Sequence, residues 1–158
     1  MEISFDSLAW YELILLLSLI GYIVVIGLIS LLSPTKIWDS FPKKCNIKTK
    51  CTRVADSNCR GYNLKPVKIE DSVNNVQTQI KKIINSKPRM KIINENVGFI
   101  HATDVTPFFR FYDDIAIKIF EHEGETIVWM QSQSRLGYYD FQVNEKRIQE
   151  LHKDISLL

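Results

Sequence analysis

The chain has 158 residues, 46% of them hydrophobic, and a formal net charge of +2, which suits one domain beside an anchor. Lys36, Lys43, Lys44, Lys48, Lys50 and Arg53 crowd residues 36–53 against Asp39 alone, while the chain from Val54 onward carries fourteen basic and fourteen acidic residues. A neutral domain behind a basic juxtamembrane cluster argues against nucleic acid as a partner and directs the cluster to a membrane surface.

Residues 13–32 are uncharged and mostly Leu, Ile and Val, and the uncharged run continues to Thr35. At 1.5 Å per helical residue, about 20 such residues cross a hydrocarbon core of about 30 Å. Trp10, Tyr11 and Trp38 flank the run at the depths aromatic rings prefer. The competing reading is a signal peptide, which asks for a basic start, a shorter apolar core and a small-residue cleavage site. Here the start carries Glu2, Asp6 and Glu12 with no Lys or Arg, and no Ala-x-Ala follows. The sequence therefore predicts an N-terminal segment 1–35 with a single transmembrane helix over about 13–32, and the lipid bilayer as a partner. The lysine bias points the domain into the cytoplasm.

Residues 36–66 mix Pro, Asn, Gly and charge without a sustained period and read as a basic juxtamembrane tether that packs partly on the domain. Within it, residues 56–61 form a turn, because Asp56 and Asn58 bond their own backbone and Gly61 allows positive φ. Cys45, Cys51 and Cys59 lack CxxC spacing, and a zinc site would need a fourth ligand from His101, His122 or His152, none at a familiar interval. No metal is assigned. Two of the three cysteines are able to pair if the domain faces an oxidising space, which would reverse the orientation that the lysines indicate.

The α+β domain is predicted over 67–158. Asp71 or Ser72 caps a helix whose Val73, Val76, Ile80, Ile83 and Ile84 recur at helical spacing, and Pro88 follows its end. Strands are predicted at 90–94, at 98–104, in a long third run opening at Pro107, and at 126–134, with Gly124 at the tip of the last hairpin. In the third strand Phe109, Phe111, Ile115, Ile117 and Ile119 share one parity and one face. Asn144 caps a final helix with Ile148, Leu151 and Ile155 on its inner stripe. Short connections make the four strands an antiparallel meander, and both helices on one face make a two-layer sandwich.

Two features carry the chemistry. Asp113 shares the parity of the apolar residues, so alternation aims it at the core, where an unpaired carboxylate is costly. Either a bulge re-aims it or a cation meets it, with Arg135 and Arg110 the candidates. The second feature is the polar turn around Gly137, where Ser132, Ser134, Arg135, Tyr138, Tyr139, Asp140 and Asn144 converge on a helix N-terminus. That arrangement suits a small anion; a self-satisfied hydrogen-bond cluster is the plain structural alternative. The predicted ligand-binding set is Asp113, Asp114, Ser134, Arg135, Tyr138, Asp140, Asn144 and Arg147, with Asp113 holding Arg135 in place. No phosphate loop, dinucleotide fingerprint or HExxH is present, and no cofactor is assigned.

The functional expectation is a single-pass membrane-anchored binding or structural module for a small anionic ligand or a protein partner. Two alternatives stand beside it. One is a hydrolase-like enzyme with Asp113 or Asp140 as general base assisted by His101. The other is a membrane-surface adaptor acting through the juxtamembrane lysines.

The blocks Phe109-Arg-Phe-Tyr-Asp-Asp114, Ser132-Gln-Ser-Arg-Leu-Gly-Tyr-Tyr-Asp-Phe141, and Val143-Asn144 with Arg147-Ile148, in that order, resemble the domain of unknown function 1499 family. Asn58-Cys59 and His101-Ala102 match its earlier blocks, so the resemblance covers about residues 56–151. Family members often carry an N-terminal export signal or membrane segment, which implies an envelope protein with its domain outside the cytoplasm. The chain departs from the pattern at Gln131, where the family commonly has Arg, near Gln142, where it has Gly, and at Glu145, in a run that is usually more basic.

Overall fold

The computed structural model describes residues 5–158; Glu2 of the acidic start lies outside them. The chain opens with helix α1 (Phe5–Leu32). Within it Ala9–Leu32 is long and apolar enough to cross a membrane, with mean hydropathy 2.8. A single 3-10 turn, Lys48–Lys50, leads into β1 (Cys51–Val54), followed by β2 (Val67–Ile69), α2 (Val73–Ser86), β3 (Met90–Asn96), β4 (Phe99–Val105), β5 (Tyr112–His122), β6 (Glu125–Ser134) and α3 (Val143–Ile155). Ser72 is the N-cap of α2, its hydroxyl accepting from the Asn75 amide.

The α+β class holds, but the sheet has six strands rather than four. It runs β1-β6-β5-β4-β3, every pair antiparallel, and β2 also pairs with β6. The expected meander is β3 to β6. The two further strands divide the free edge of β6 between them: β1 lies opposite Met130 to Gln133, and β2 opposite Thr126 to Val128. Strands of four and three residues are too short to print a period, and β1 lies inside the stretch read as a tether.

The predicted start of the third strand is also corrected. Phe108 and Arg110 have φ of 61° and 56°, so residues 106–111 leave the sheet as a loop. Phe109 and Phe111 are exposed instead of sharing the core face of Ile115.

Alternation decides the two faces. Ile100, Ala102, Ile115, Ile117, Ile119, Val128 and Met130 point to one side, where Val76, Ile80 and Ile84 of α2 and Ile148, Leu151 and Ile155 of α3 complete the core. The other side is not open, so a plain two-layer sandwich does not describe the domain. A strap of residues 36–46 crosses it. Trp38 stacks on His101 with ring centroids 4.9 Å apart, Phe41 packs on Trp129, and the Asn94 and Asn96 side chains donate to the backbone carbonyls of Trp38 and Asp39. A disulfide, Cys45–Cys51, joins the strap to β1, and Cys59 is free.

The β3–β4 turn depends on glycine. Gly98 has φ +75°, and a β-carbon there would lie 2.6 Å from the Ile119 carbonyl oxygen, which belongs to backbone and has no flexible end to move. Gly98→Ala is expected to lower stability by at least about 1 kcal/mol, measured as a fall in the urea midpoint at unchanged slope.

Candidate functional site

Asp113 and Asp114 are neighbours in β5, so the pleat sends their side chains to opposite faces of the sheet. No bulge intervenes: the pairing of β5 with β4 and β6 is regular through both residues. Each carboxylate meets its own arginine.

On the helix side, Asp113 lies directly across from Asp104 of β4, and Arg147 of α3 serves both. Its Nη2 donates to Asp113 Oδ2 at 2.8 Å and its Nε to Asp104 Oδ2 at 2.8 Å. Its Nη1 donates to Ser132 Oγ at 2.9 Å and Asn144 Oδ1 at 2.7 Å. All five residues are buried. Two carboxylates facing one buried guanidinium leave surplus negative charge, which Arg89 relieves at Asp104, its Nε 3.5 Å from Oδ1. Asp113 Oδ1 has no hydrogen-bond partner. Burial pushes the Asp113 carboxyl above its ordinary range, against the pull of Arg147 and with the help of the Asp104 charge.

The N-terminus of α3 is closed by the chain's own anion. Asp140 Oδ2 accepts from the Asn144 amide at 3.1 Å, and Oδ1 from the Gln142 amide at 3.2 Å and Arg60 Nη1 at 2.7 Å. Burial opposes ionisation of Asp140, but the hydrogen bonds from Arg60 and Asn144 outweigh it and hold the carboxyl below its ordinary value. Asn144, expected as the cap, sits inside the helix, and Gln142 holds the cap position with φ 65°. The Asn144 side-chain amide instead joins three segments, reaching Asp140 Oδ2 at 2.8 Å, Ser134 Oγ at 2.9 Å and the Lys50 carbonyl at 3.1 Å.

On the strap side, Arg135 grips Asp114 with both ends of its fork, Nε to Oδ2 at 3.0 Å and Nη2 to Oδ1 at 2.8 Å. His101 Nε2 adds a third bond to Asp114 Oδ1 at 3.0 Å. The other ring nitrogen, Nδ1, accepts from the Trp38 amide at 3.3 Å, so the network assigns the hydrogen to Nε2. Burial works against Asp114 ionising, yet the bonds from His101 and Arg135 prevail and keep its carboxyl below the ordinary value. Arg135 Nη1 also donates to the Ser33 carbonyl at 3.2 Å and to Thr35 Oγ1 at 3.1 Å. A cation there complements the carbonyl end of a helix.

Beside this cluster, where the end of α1, the strap and the end of β6 meet, lies a cavity of about 730 Å³. Lys36, Lys43, Lys44, Lys50 and Arg135 line it against Asp39 and Asp114. Ser33 lines it too, 4% exposed, its hydroxyl without a partner. Burial lowers the Lys50 ammonium below its ordinary range, opposed by the charge of Asp113. Among the described residues, no group of three or more His, Cys, Asp or Glu side chains is placed to hold a metal ion.

The predicted site residues thus divide into two groups. Asp113, Ser134, Asp140, Asn144 and Arg147 gather on the helix side; Asp114, Arg135 and His101 gather on the strap side. Tyr138 joins neither: its ring is exposed, and only its carbonyl is engaged, by the Thr49 hydroxyl. The expected Asp113–Arg135 pair is replaced by Asp113–Arg147. His101 meets neither Asp113 nor Asp140, which lie across the sheet from it. Asp104 and Arg60 were absent from the predicted set. Asp104 shares the parity of Ile100 and Ala102, the same signal that marked Asp113; Arg60 has no such mark.

Residues 43–155 match the family described as Protein of unknown function (DUF1499). The match takes in β1 through α3 and leaves α1 outside. No curated protein matches the chain. Arg53, directly across from Gln131, donates to Gln131 Oε1 at 2.9 Å.

Removing Arg147 strands two buried carboxylates, so Arg147→Ala should cost about 3–5 kcal/mol of stability in urea unfolding. The neighbouring aspartates should answer pH with opposite signs. Asp113, raised in the folded state, contributes stability below its unfolded value of 3.8 and loses it as pH climbs through the folded value. Asp114, lowered, contributes above 3.8 and loses it as pH falls. Relative to wild type, Asp113→Asn should therefore gain stability as pH rises from 3 toward 7, and Asp114→Asn should lose it. Parallel trends in the two variants would refute the split.

Proposed function

The chain belongs to the DUF1499 family, and from that premise we propose that it is a single-pass membrane-anchored module, its domain outside the cytoplasm, that binds an anionic group in the basic cavity at the end of α1. The observation that carries this reading is the cavity itself. Five cations against two carboxylates surround a space of about 730 Å³, and Ser33 is among the residues that line it. An oxyanion there would accept charge-assisted hydrogen bonds from several of these cations at once. The turn around Gly137 is a poorer seat for the ligand, because Asp140 already occupies the helix N-terminus and Arg135 is committed to Asp114.

The anchor is supported by the length and hydropathy of Ala9–Leu32. The orientation is supported by the Cys45–Cys51 disulfide, since such bonds persist in oxidising compartments. Four of the lysines that favour the opposite face, Lys36, Lys43, Lys44 and Lys50, line the cavity, and the rule that reads them is weak for long translocated domains. The adaptor reading merges with this one, because the same lysines serve both. The hydrolase reading has less support: His101 is fully buried with both nitrogens engaged.

Two experiments test this. A membrane-impermeant maleimide applied to intact cells is expected to label Cys59 directly and two more thiols after reduction, in a chain that resists carbonate extraction. Labelling only after lysis would move the domain to the cytoplasm, and release by carbonate would remove the anchor. For the ligand, the full chain in zwitterionic nanodiscs is titrated with inorganic phosphate and compared with nanodiscs doped with phosphatidylglycerol, reading tryptophan emission, since Trp38 lines the cavity. A saturable change in one arm, lost when Lys43→Glu and Lys44→Glu are combined, is expected, and the responding arm separates a free anion from a lipid headgroup. No saturable change in either arm, or one that survives the double reversal, sinks the binding site.

A further inference from the structure

At the end of the sheet where β4 passes into β5 and β6 into α3, two loops present aromatic rings to the outside. Residues 106–111 carry Phe108, Phe109 and Phe111, and the second loop carries Tyr138, Tyr139 and Phe141. Phe108 and Phe141 are 78% and 81% exposed, and both hold left-handed backbone, φ 61° and 48°, which a bulky side chain rarely adopts. Neither ring packs into the core; the turns that hold them are closed by the Phe109 amide on the Pro107 carbonyl and the Val143 amide on the Asp140 carbonyl.

We propose that the loop of residues 106–111 is a wedge that enters the lipid leaflet on the domain's side, with the second loop at the headgroup level beside it. The inference rests on the reading of α1 as a membrane anchor. Its basis is where the loop touches α1. The Tyr22 hydroxyl donates to the Phe108 carbonyl at 2.7 Å. Tyr22 precedes Leu32, the end of α1, by ten residues, about 15 Å at 1.5 Å per residue. The contact therefore lies alongside the apolar span, not beyond it. Among the described residues of the helix Ile26 and Ile29 are half-buried, and Ser33 after it is buried. With Tyr22 these fall at spacings of four, three and four, one stripe turned to the domain. From Leu13 to Leu32 most of the remaining side chains are apolar and exposed, so what surrounds α1 there surrounds the loop as well.

Part of the loop's backbone is partnered within the protein. Backbone groups entering lipid must find partners within the protein. The Thr106 amide donates to the Phe111 carbonyl, the Phe111 amide to Thr106 Oγ1, and the Phe109 amide to the Pro107 carbonyl, each at 2.9 Å. Pro107 has no amide hydrogen to satisfy, and Tyr22 takes the Phe108 carbonyl while using its own hydroxyl, a group equally costly in lipid. The tyrosines of the second loop suit the interface, where a ring with one polar end is favoured.

The test uses the full chain in liposomes, with Cys59→Ser removing the free thiol and the disulfide kept oxidised. Single cysteines replacing Phe109, Val97 and Leu15 carry nitroxide labels, and collisions with oxygen are compared with collisions with a water-soluble nickel complex. Val97 sits in the β3–β4 turn at the far end of the sheet, and Leu15 lies in α1. The expected result is an oxygen-to-nickel ratio at 109 in the range found at 15 and well above that at 97. A water-like ratio at 109 with a lipid-like ratio at 15 overturns the wedge and leaves the anchor intact. A label at 109 shielded from both reagents means protein covers the loop, and also overturns it. A water-like ratio at 15 removes the anchor itself, and the wedge with it.

Discussion

Two consecutive carboxylates in one β-strand leave by opposite faces, and each must be neutralised where it lands. In this chain that constraint organises both sides of the sheet. Asp113 draws Arg147 from α3 and so ties the last helix to β4, β5 and β6. Asp114 draws Arg135 and His101, and through them the strap and the end of α1. Neither carboxylate is tolerable in the core without its partner, so each ion pair specifies which element packs on that face more than it adds to net stability.

The two clusters differ in how completely they are satisfied. The strap-side carboxylate has a bidentate arginine and a histidine, and its charge is stabilised. The helix-side pair shares one arginine between two carboxylates, and Asp113 is held toward its protonated form by burial. A protonated Asp113 would carry a donor beside Asp104, whose second oxygen also lacks a hydrogen-bond partner. That asymmetry follows from geometry: Asp104 and Asp113 are directly opposed across β4 and β5, where like charges repel, whereas Asp114 lies across from Thr103 on one side and Gln133 on the other.

Arg135 ties the end of the N-terminal helix to the domain. Its three nitrogens divide between the Asp114 carboxylate and the carbonyl end of α1, and its own carbonyl accepts from Lys50. The basic cavity lies beside this junction, and the aromatic loops lie at the same end of the sheet. A ligand in that cavity would touch helix, strap and sheet together.

Much of the fold was legible from sequence. The apolar run, the amphipathic α2 and the four strands of the meander declare themselves through period and turn residues, because long elements repeat a burial pattern often enough to be read. Asp113 was legible as a buried carboxylate for the same reason. β1 and β2 were not, being too short to show a period, and the loop at Phe108 broke a run of apparent alternation that only its φ angles reveal. Which arginine meets which aspartate was likewise closed to sequence: Arg135 is nearer to Asp113 along the chain, but alternation alone cannot say that α3 lays Arg147 over one face while the strap brings α1 to the other. Sequence determines what must be buried and what must be neutralised, since those are properties of side chains and strand parity. Only the tertiary structure decides the partners, because these pairs join elements as far apart as residues 33 and 135, and their meeting depends on how the whole chain packs.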